Sequence, residues 1–231
     1  MNKKRLSILG STGSIGINTL KVVDHLKDQF EIVSLSCNKN VNLLFEQIKY
    51  FKPQSISILN EKSYFKIKKK LKSSNIEILK GREGLLELSS RNNVDLLLNG
   101  LVGASGMEPT LCAIKEGVDV ALSNKESLVM AGSIIKSAMK TSGAKLIPVD
   151  SEHSAIWQCL AGENMEDIKR IILTGSGGPF RNRAINTFEN ISVSEALNHP
   201  NWEMGKKITI DSATMMNKGF ELIEAYWLFN L

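Results

Sequence analysis

The chain has 231 residues, of which 42% are apolar and 23% charged, and a formal net charge of +5. That balance excludes a disordered or fibrous protein and describes a globular one long enough to bury a sizeable core. No stretch is long and apolar enough to span a bilayer. Part of the cationic excess sits in one run, Lys66-Ile-Lys-Lys-Lys70 with Lys72, which reads as the solvated face of a helix; neither membrane nor nucleic acid is expected as a partner.

The elements alternate from the start. A strand over Leu6–Leu9 begins so early that no room is left for a signal or transit peptide, and a cytoplasmic location is expected. It runs into Gly10-Ser-Thr-Gly13-Ser-Ile-Gly16, three glycines at intervals of three. With a strand before it and a helix (Leu20, Val23, Leu26) after it, this turn suits close approach of backbone N–H groups to a pyrophosphate. The same spacing also reads as a plain strand-to-helix turn. A second strand, Ile32–Ser36, ends in Ser36-Cys-Asn38-Lys39-Asn40, where a dinucleotide site for NAD carries an acid on the ribose 2′-hydroxyl. No carboxylate stands there, and Ser36, Asn38 and Lys39 can bond or neutralise a 2′-phosphate, so NADPH is favoured over NADH.

Further strands are predicted at Ser55–Leu59, Ile76–Leu79, Asp95–Leu98, Val118–Leu122 and Leu146–Val149, with amphipathic stretches such as Leu44, Ile48 and Phe51 between them. This order demands an α/β fold, a Rossmann-like doubly wound parallel sheet with ligands at the strands' carboxyl ends. Two strand ends carry polar tips: the loop after Leu98, and Ser123-Asn124-Lys125-Glu126. There Lys125 can place a cation beside a substrate while Asn124 and Glu126 meet the cofactor; a helix N-cap explains the same residues.

The seventh strand leads into Asp150-Ser-Glu152-His153. In extended backbone acids at i and i+2 share a side and repel unless a cation intervenes. Mg²⁺ or Mn²⁺ would resolve this, and so would plain solvent exposure. The texture changes here, and a boundary is placed between residues 1–149 and 150–231. The second part, read as an incomplete α+β catalytic domain, begins with a helix at Ser154–Leu160 and a strand at Arg170–Thr174. Thr174-Gly-Ser176-Gly-Gly-Pro suits an anion nest, and Trp202, in a Pro/Asn/Gly loop, a lid. Ser212, Asn217 and Lys218 are donors that a phosphate wants, Glu221 offers a third acid, and a last helix covers Phe220–Phe229. The apolar end, Tyr226 to Leu231, implies a chain that stops inside a core. Cys37, Cys112 and Cys159 lack any pairing or zinc pattern, which fits a reducing compartment.

Together GSTGSIG, ALSNKES, VDSEHSAI, LTGSGGPF and HPNWEMGKKITIDSATMMNKGFE resemble the 1-deoxy-D-xylulose 5-phosphate reductoisomerase family over the whole chain. The resemblance implies an NADPH-dependent, Mn²⁺- or Mg²⁺-dependent homodimer that rearranges and reduces a small sugar phosphate. It implies cofactor contacts from Thr12, Gly13, Ser14, Ile15, Lys39, Asn40, Asn124, Glu126 and Gly205, and metal ligation by Asp150, Glu152 and Glu221. It implies substrate contacts from Lys125, Ser151, Ser176, His199, Ser212, Asn217 and Lys218, with His153 beside the site. Asn38 stands where the family commonly has glycine, and family members are much longer. Two rivals stay open: another NADP oxidoreductase with a cysteine nucleophile, and an inactive NADPH-binding remnant of the parent enzyme.

Overall fold

A computed structural model describes residues 2–231. They form two compact units, one ending at Asp150 and the other spanning Ser151–Leu231. In the first, the apolar runs become β1 (Lys4–Leu9), β2 (Phe30–Cys37), β3 (Ser55–Ile58), β4 (Glu77–Lys80), β5 (Leu96–Asn99), β6 (Asp119–Leu122) and β7 (Leu146–Pro148). They join in one sheet of order β4-β3-β2-β1-β5-β6-β7, with every pair parallel. A parallel sheet is buried on both faces, so its strands are built from apolar residues and small buried serines such as Ser7, Ser34, Ser36, Ser55 and Ser57. One register row crosses all of it: Ile78, Ile56, Leu35, Ile8, Leu98, Ala121 and Ile147 stand side by side.

The crossovers are α1 (Ser14–His25), α2 (Val41–Phe51), α3 (Glu61–Lys70), α4 (Gly81–Ser89), α5 (Met107–Lys115) and α6 (Lys125–Ser142). The lysine run ends α3, where only Ile67 is buried and Lys68, Lys69 and Lys70 oppose the negative end of the helix dipole. Asn60 caps that helix, accepting from Ser63 N at 3.0 Å. Strand order reverses between β2-β1 and β1-β5, so the crevice that collects ligands in open α/β sheets lies beyond the carboxyl ends of β1 and β5. The glycine turn follows β1 and the polar loop after Leu98 follows β5.

Two glycines of the turn are sterically required. Gly10 has φ of +78°, which strains any L side chain. At Gly16 a Cβ would lie 2.4 Å from the Gly10 carbonyl oxygen and 2.5 Å from Ser11 Cα, a clash with backbone that no rotamer relieves. Gly16→Ala is therefore expected to cost about 3 kcal/mol, read as a lower denaturation midpoint; an unchanged midpoint would show that the turn yields.

The second unit contains α7 (Ser151–Leu160), α8 (Val193–Ala196), α9 (Lys206–Ala213) and α10 (Met216–Phe229). Its described residues include no strand, so the segment Arg170–Thr174, expected as one, runs without a ladder: β-branched character favours extended backbone but supplies no partner. Two helices begin earlier than periodicity suggested, α7 by three residues and α10 by four, counted from Ser154 and Phe220. Glu152, Asn217 and Lys218 thus sit in first helical turns rather than loops. The terminal segment is only partly covered, with Phe229 8% exposed but Tyr226 52%.

Candidate functional site

In the first unit the turn Gly10–Gly16 delivers Gly13 as N-cap of α1, with no side chain satisfying the first-turn N–H groups. Gly13 and Ser14 are exposed, and Thr12 and Ile15 half-buried, so the helix start is open to an anion as the glycine spacing suggested. At the end of β2, Asn38, Lys39 and Asn40 are all exposed. Asn40 caps α2 by accepting from Leu43 N at 3.3 Å. Asn38 is not among the positive-φ residues, so an asparagine at the family's glycine position carries no left-handed strain here.

Asn124 is buried and fully engaged. Its Nδ2 donates to the carbonyls of Leu101 and Gly103, each at 2.9 Å, and to Glu126 Oε2 at 3.3 Å. Its Oδ1 accepts from Ser127 N at 3.1 Å and Ser127 Oγ at 2.5 Å. The carboxamide therefore caps α6 and clamps the loop after β5. Asn99, which sequence reasoning passed over, anchors the other end of that loop, donating to Gly106 O at 2.8 Å and Thr110 Oγ1 at 2.7 Å. Beside them Lys125, 5% exposed, meets Asp150 at 2.7 Å. A buried ammonium is retained only when paired.

In the second unit Glu152 on α7 and Glu221 on α10 come together with carboxylate oxygens within 4.8 Å. Carboxylates this close repel unless a cation stands between them. Lys218 supplies one: its Nζ donates to Glu152 Oε1 at 3.1 Å, to Glu221 Oε2 and to the Thr174 carbonyl. Asn217 Nδ2 donates to Glu221 Oε1 at 2.5 Å, and Ser151 Oγ to Glu152 Oε2 at 2.6 Å. Asn217, Lys218 and Ser151, expected on the substrate, are thus turned towards the acids. The turn into α10 holds Met215 at φ of +61°, an uncommon conformation for a side-chain-bearing residue.

Beneath lies a pair that the sequence signalled only in part. His153 and Glu224 are both fully buried. His153 Nε2 is 2.9 Å from the Glu221 carbonyl oxygen, which can only accept, so Nε2 carries the proton. Nδ1 faces Glu224 Oε2 at 3.3 Å. The histidine thereby fastens α7 to α10 directly under the two acids. Glu224 follows Glu221 by three residues and so shares its helix face, the signal that could have found it.

The glycine-rich segment closes on α9: a Cβ at Gly178 would lie 2.6 Å from the Ser212 carbonyl oxygen. His199 Nδ1 accepts from Asn201 N at 3.2 Å and Trp202 N at 3.1 Å, so its proton is on Nε2, 3.1 Å from Ser176 Oγ. That oxygen also accepts from Gly178 N at 3.2 Å, which leaves the Ser176 hydroxyl proton to be donated elsewhere. Trp202 is 65% exposed and Gly205 is the exposed N-cap of α9.

The thiols offer no nucleophile in a strand-to-helix turn. Burial pushes Cys37 up to about 12 and raises Cys112, while Cys112 and Cys159 lie within α5 and α7.

The family model described as 1-deoxy-D-xylulose 5-phosphate reductoisomerase matches residues 6–132. That of its C-terminal domain matches residues 146–229. The reductoisomerase of Chloroherpeton thalassium is 54% identical over 99% of this chain and 59% of its own length. That of Thermodesulfovibrio yellowstonii is 53% identical over the same shares. A crystal structure of DOX-P reductoisomerase with NADPH, fosmidomycin and magnesium is similar at a TM-score of 0.91 and 42% identity, covering 99% of this chain and 59% of that one. The Zymomonas mobilis enzyme with NADPH gives a TM-score of 0.91 and 39% identity over 100% and 59%. The chain spans about three-fifths of the length of these relatives. Over that span it belongs to the 1-deoxy-D-xylulose 5-phosphate reductoisomerase family.

Proposed function

We propose that this chain carries the NADPH and metal sites of an enzyme that converts 1-deoxy-D-xylulose 5-phosphate to 2-C-methyl-D-erythritol 4-phosphate, a step towards isoprenoid precursors. The observation that carries the reading is the meeting of Glu152 and Glu221, 69 residues apart in the sequence, around the single ammonium of Lys218. A pair of close carboxylates balanced by a side-chain cation is a donor set of hard oxygens, which fits Mg²⁺ or Mn²⁺. Asp150, which ends the first unit just ahead of Glu152, is the third ligand in this reading. When bound, the metal supplies Lewis-acid chemistry at substrate oxygens and the nicotinamide supplies hydride.

The chain's own residues bind and orient. Thr12, Gly13, Ser14 and Ile15 present the open start of α1 to the pyrophosphate, while Lys39 and Asn40 hold the 2′-phosphate end. Asn124 and Glu126 shape the loop beside the nicotinamide half, and Gly205 completes the cofactor contacts. Lys125 holds a positive charge beside Asp150 and polarises a substrate oxygen. Ser176, whose hydroxyl proton is left free to donate, anchors the phosphate with Ser212, and Asn217 and Lys218, which hold Glu152 and Glu221 in this structure, would turn to the phosphate once a divalent cation balanced those acids instead. Ser151 contacts the substrate next to the metal, and Trp202 lies on a lid that excludes water.

No helix among the described residues is long and apolar enough to cross a membrane. The reading includes a homodimer in the cytoplasm, where free thiols persist; light scattering of the purified protein tests the dimer. Consumption of NADPH with 1-deoxy-D-xylulose 5-phosphate and Mn²⁺ tests the activity. A chain that binds NADPH yet consumes none would be the nucleotide-binding part alone, and one that binds neither NADPH nor Mn²⁺ would overturn the proposal.

A further inference from the structure

The glycine turn is held from behind by a residue outside every motif considered above. Gln47, on α2 and 7% exposed, donates through Nε2 to the Ser11 carbonyl at 2.9 Å and accepts through Oε1 from Ser11 Oγ at 2.8 Å. Ser11 is itself fully buried. Its hydroxyl lies 3.2 Å from the Ser36 carbonyl, and its N–H donates to that carbonyl at 2.9 Å. Gly10 N donates to Ser36 Oγ at 3.0 Å. The first peptides of the turn are thus bound on two sides, by the end of β2 and by one carboxamide of α2.

A carboxamide that both donates to and accepts from one residue fixes that residue's orientation, not merely its distance. Rotating the Ser11 peptide would break the pair and leave buried polar groups unsatisfied. The next peptides run through Gly13, whose N–H donates to the Gly10 carbonyl at 3.0 Å, into the exposed Ser14 that opens α1 without a side-chain cap. Gln47 also lies seven residues after Asn40, on the helix whose N-terminus follows Lys39, so the same helix carries the 2′-phosphate end.

We propose that Gln47 is a positioning residue for the dinucleotide site, holding Ser11 so that the pyrophosphate-facing N–H groups keep their aim. This rests on the reading that the turn binds NADPH. It predicts a division that general loss of structure would not produce, because NADPH and NADH both carry a pyrophosphate and 2′-AMP does not.

The test is titration of the 231-residue chain with NADPH, NADH and 2′-AMP by calorimetry. Gln47→Met keeps the volume and removes both hydrogen bonds. It should weaken NADPH and NADH alike by about tenfold or more, with 2′-AMP within about twofold of wild type. Ser11→Ala keeps the Nε2 bond to the carbonyl and should weaken both dinucleotides by about threefold. Combined, the two should be no worse than Gln47→Met alone, since they remove one shared interaction. If Gln47→Met does not fold, Ser11→Ala by itself must still show the division between dinucleotides and 2′-AMP. Unchanged NADPH affinity in the variants, or a loss of 2′-AMP equal to that of NADPH, would overturn the positioning role. Wild-type protein that binds none of the three would instead overturn the cofactor reading beneath it.

Discussion

Replacing Glu152 by glutamine is expected to lower turnover by about a hundredfold to a thousandfold, the scale at which loss of one electrostatic partner acts on a transition state, while NADPH affinity stays within about twofold. Glu152 Oε1 lies 3.1 Å from Lys218 Nζ, and Oε2 accepts from Ser151 Oγ at 2.6 Å. An amide preserves the shape and one acceptor. It removes the negative charge, and if its NH₂ faces Lys218 it sets donor against donor. A neutral amide is also a poorer ligand for a hard divalent cation than a carboxylate. Mn²⁺ affinity, followed by electron paramagnetic resonance, should therefore fall together with turnover. The residues assigned to NADPH lie mostly on the first unit and Glu152 on the second, so cofactor binding should be spared. An equal loss of NADPH affinity and turnover would place this carboxylate outside the metal site.

The second large effect concerns which dinucleotide binds. Reversing the charge of Lys39 with Glu should weaken NADPH by about tenfold to thirtyfold and leave NADH within about twofold, as expected when one charge-assisted hydrogen bond to a phosphate becomes a repulsion. Lys39 is exposed at the end of β2, and no carboxylate occupies the neighbouring positions from Ser36 to Asn40. Salt should shrink the difference, because an exposed pair is screened. The measurement is a pair of titrations, NADPH against NADH, on wild type and variant. Equal affinities in the wild type would end the argument for a 2′-phosphate contact before any substitution is made.

The architecture of the first unit was legible because its physics is local and periodic. A strand buried on both faces carries apolar residues broken at most by small ones, as the serines of β1 to β3 show, and a crossover helix must be amphipathic, so alternation along the chain stated both the fold and the position of the ligand crevice. The glycine turn was legible for the same reason: Gly10 and Gly16 answer to backbone geometry within seven residues. The second unit was harder to read. Arg170–Thr174 has the composition of a strand, yet pairing is a property of a neighbour and not of the segment. The early starts of α7 and α10 were missed because their first turns, Ser151-Glu-His153 and Met216-Asn-Lys-Gly219, carry too little of the apolar period on which the boundaries were judged.

The sequence by itself determined the parallel α/β sheet and the glycine turn between its first strand and helix, since both depend on spacing along the backbone. Only the tertiary structure decided what the polar side chains touch. It turned Asn124 inward onto a loop, brought Glu221 to Glu152 across Lys218, set His153 on Glu224 beneath them, and placed Gln47 behind the turn. Such contacts join residues tens of positions apart, and no local period encodes them; they arise because a buried polar group must find a partner wherever the fold provides one.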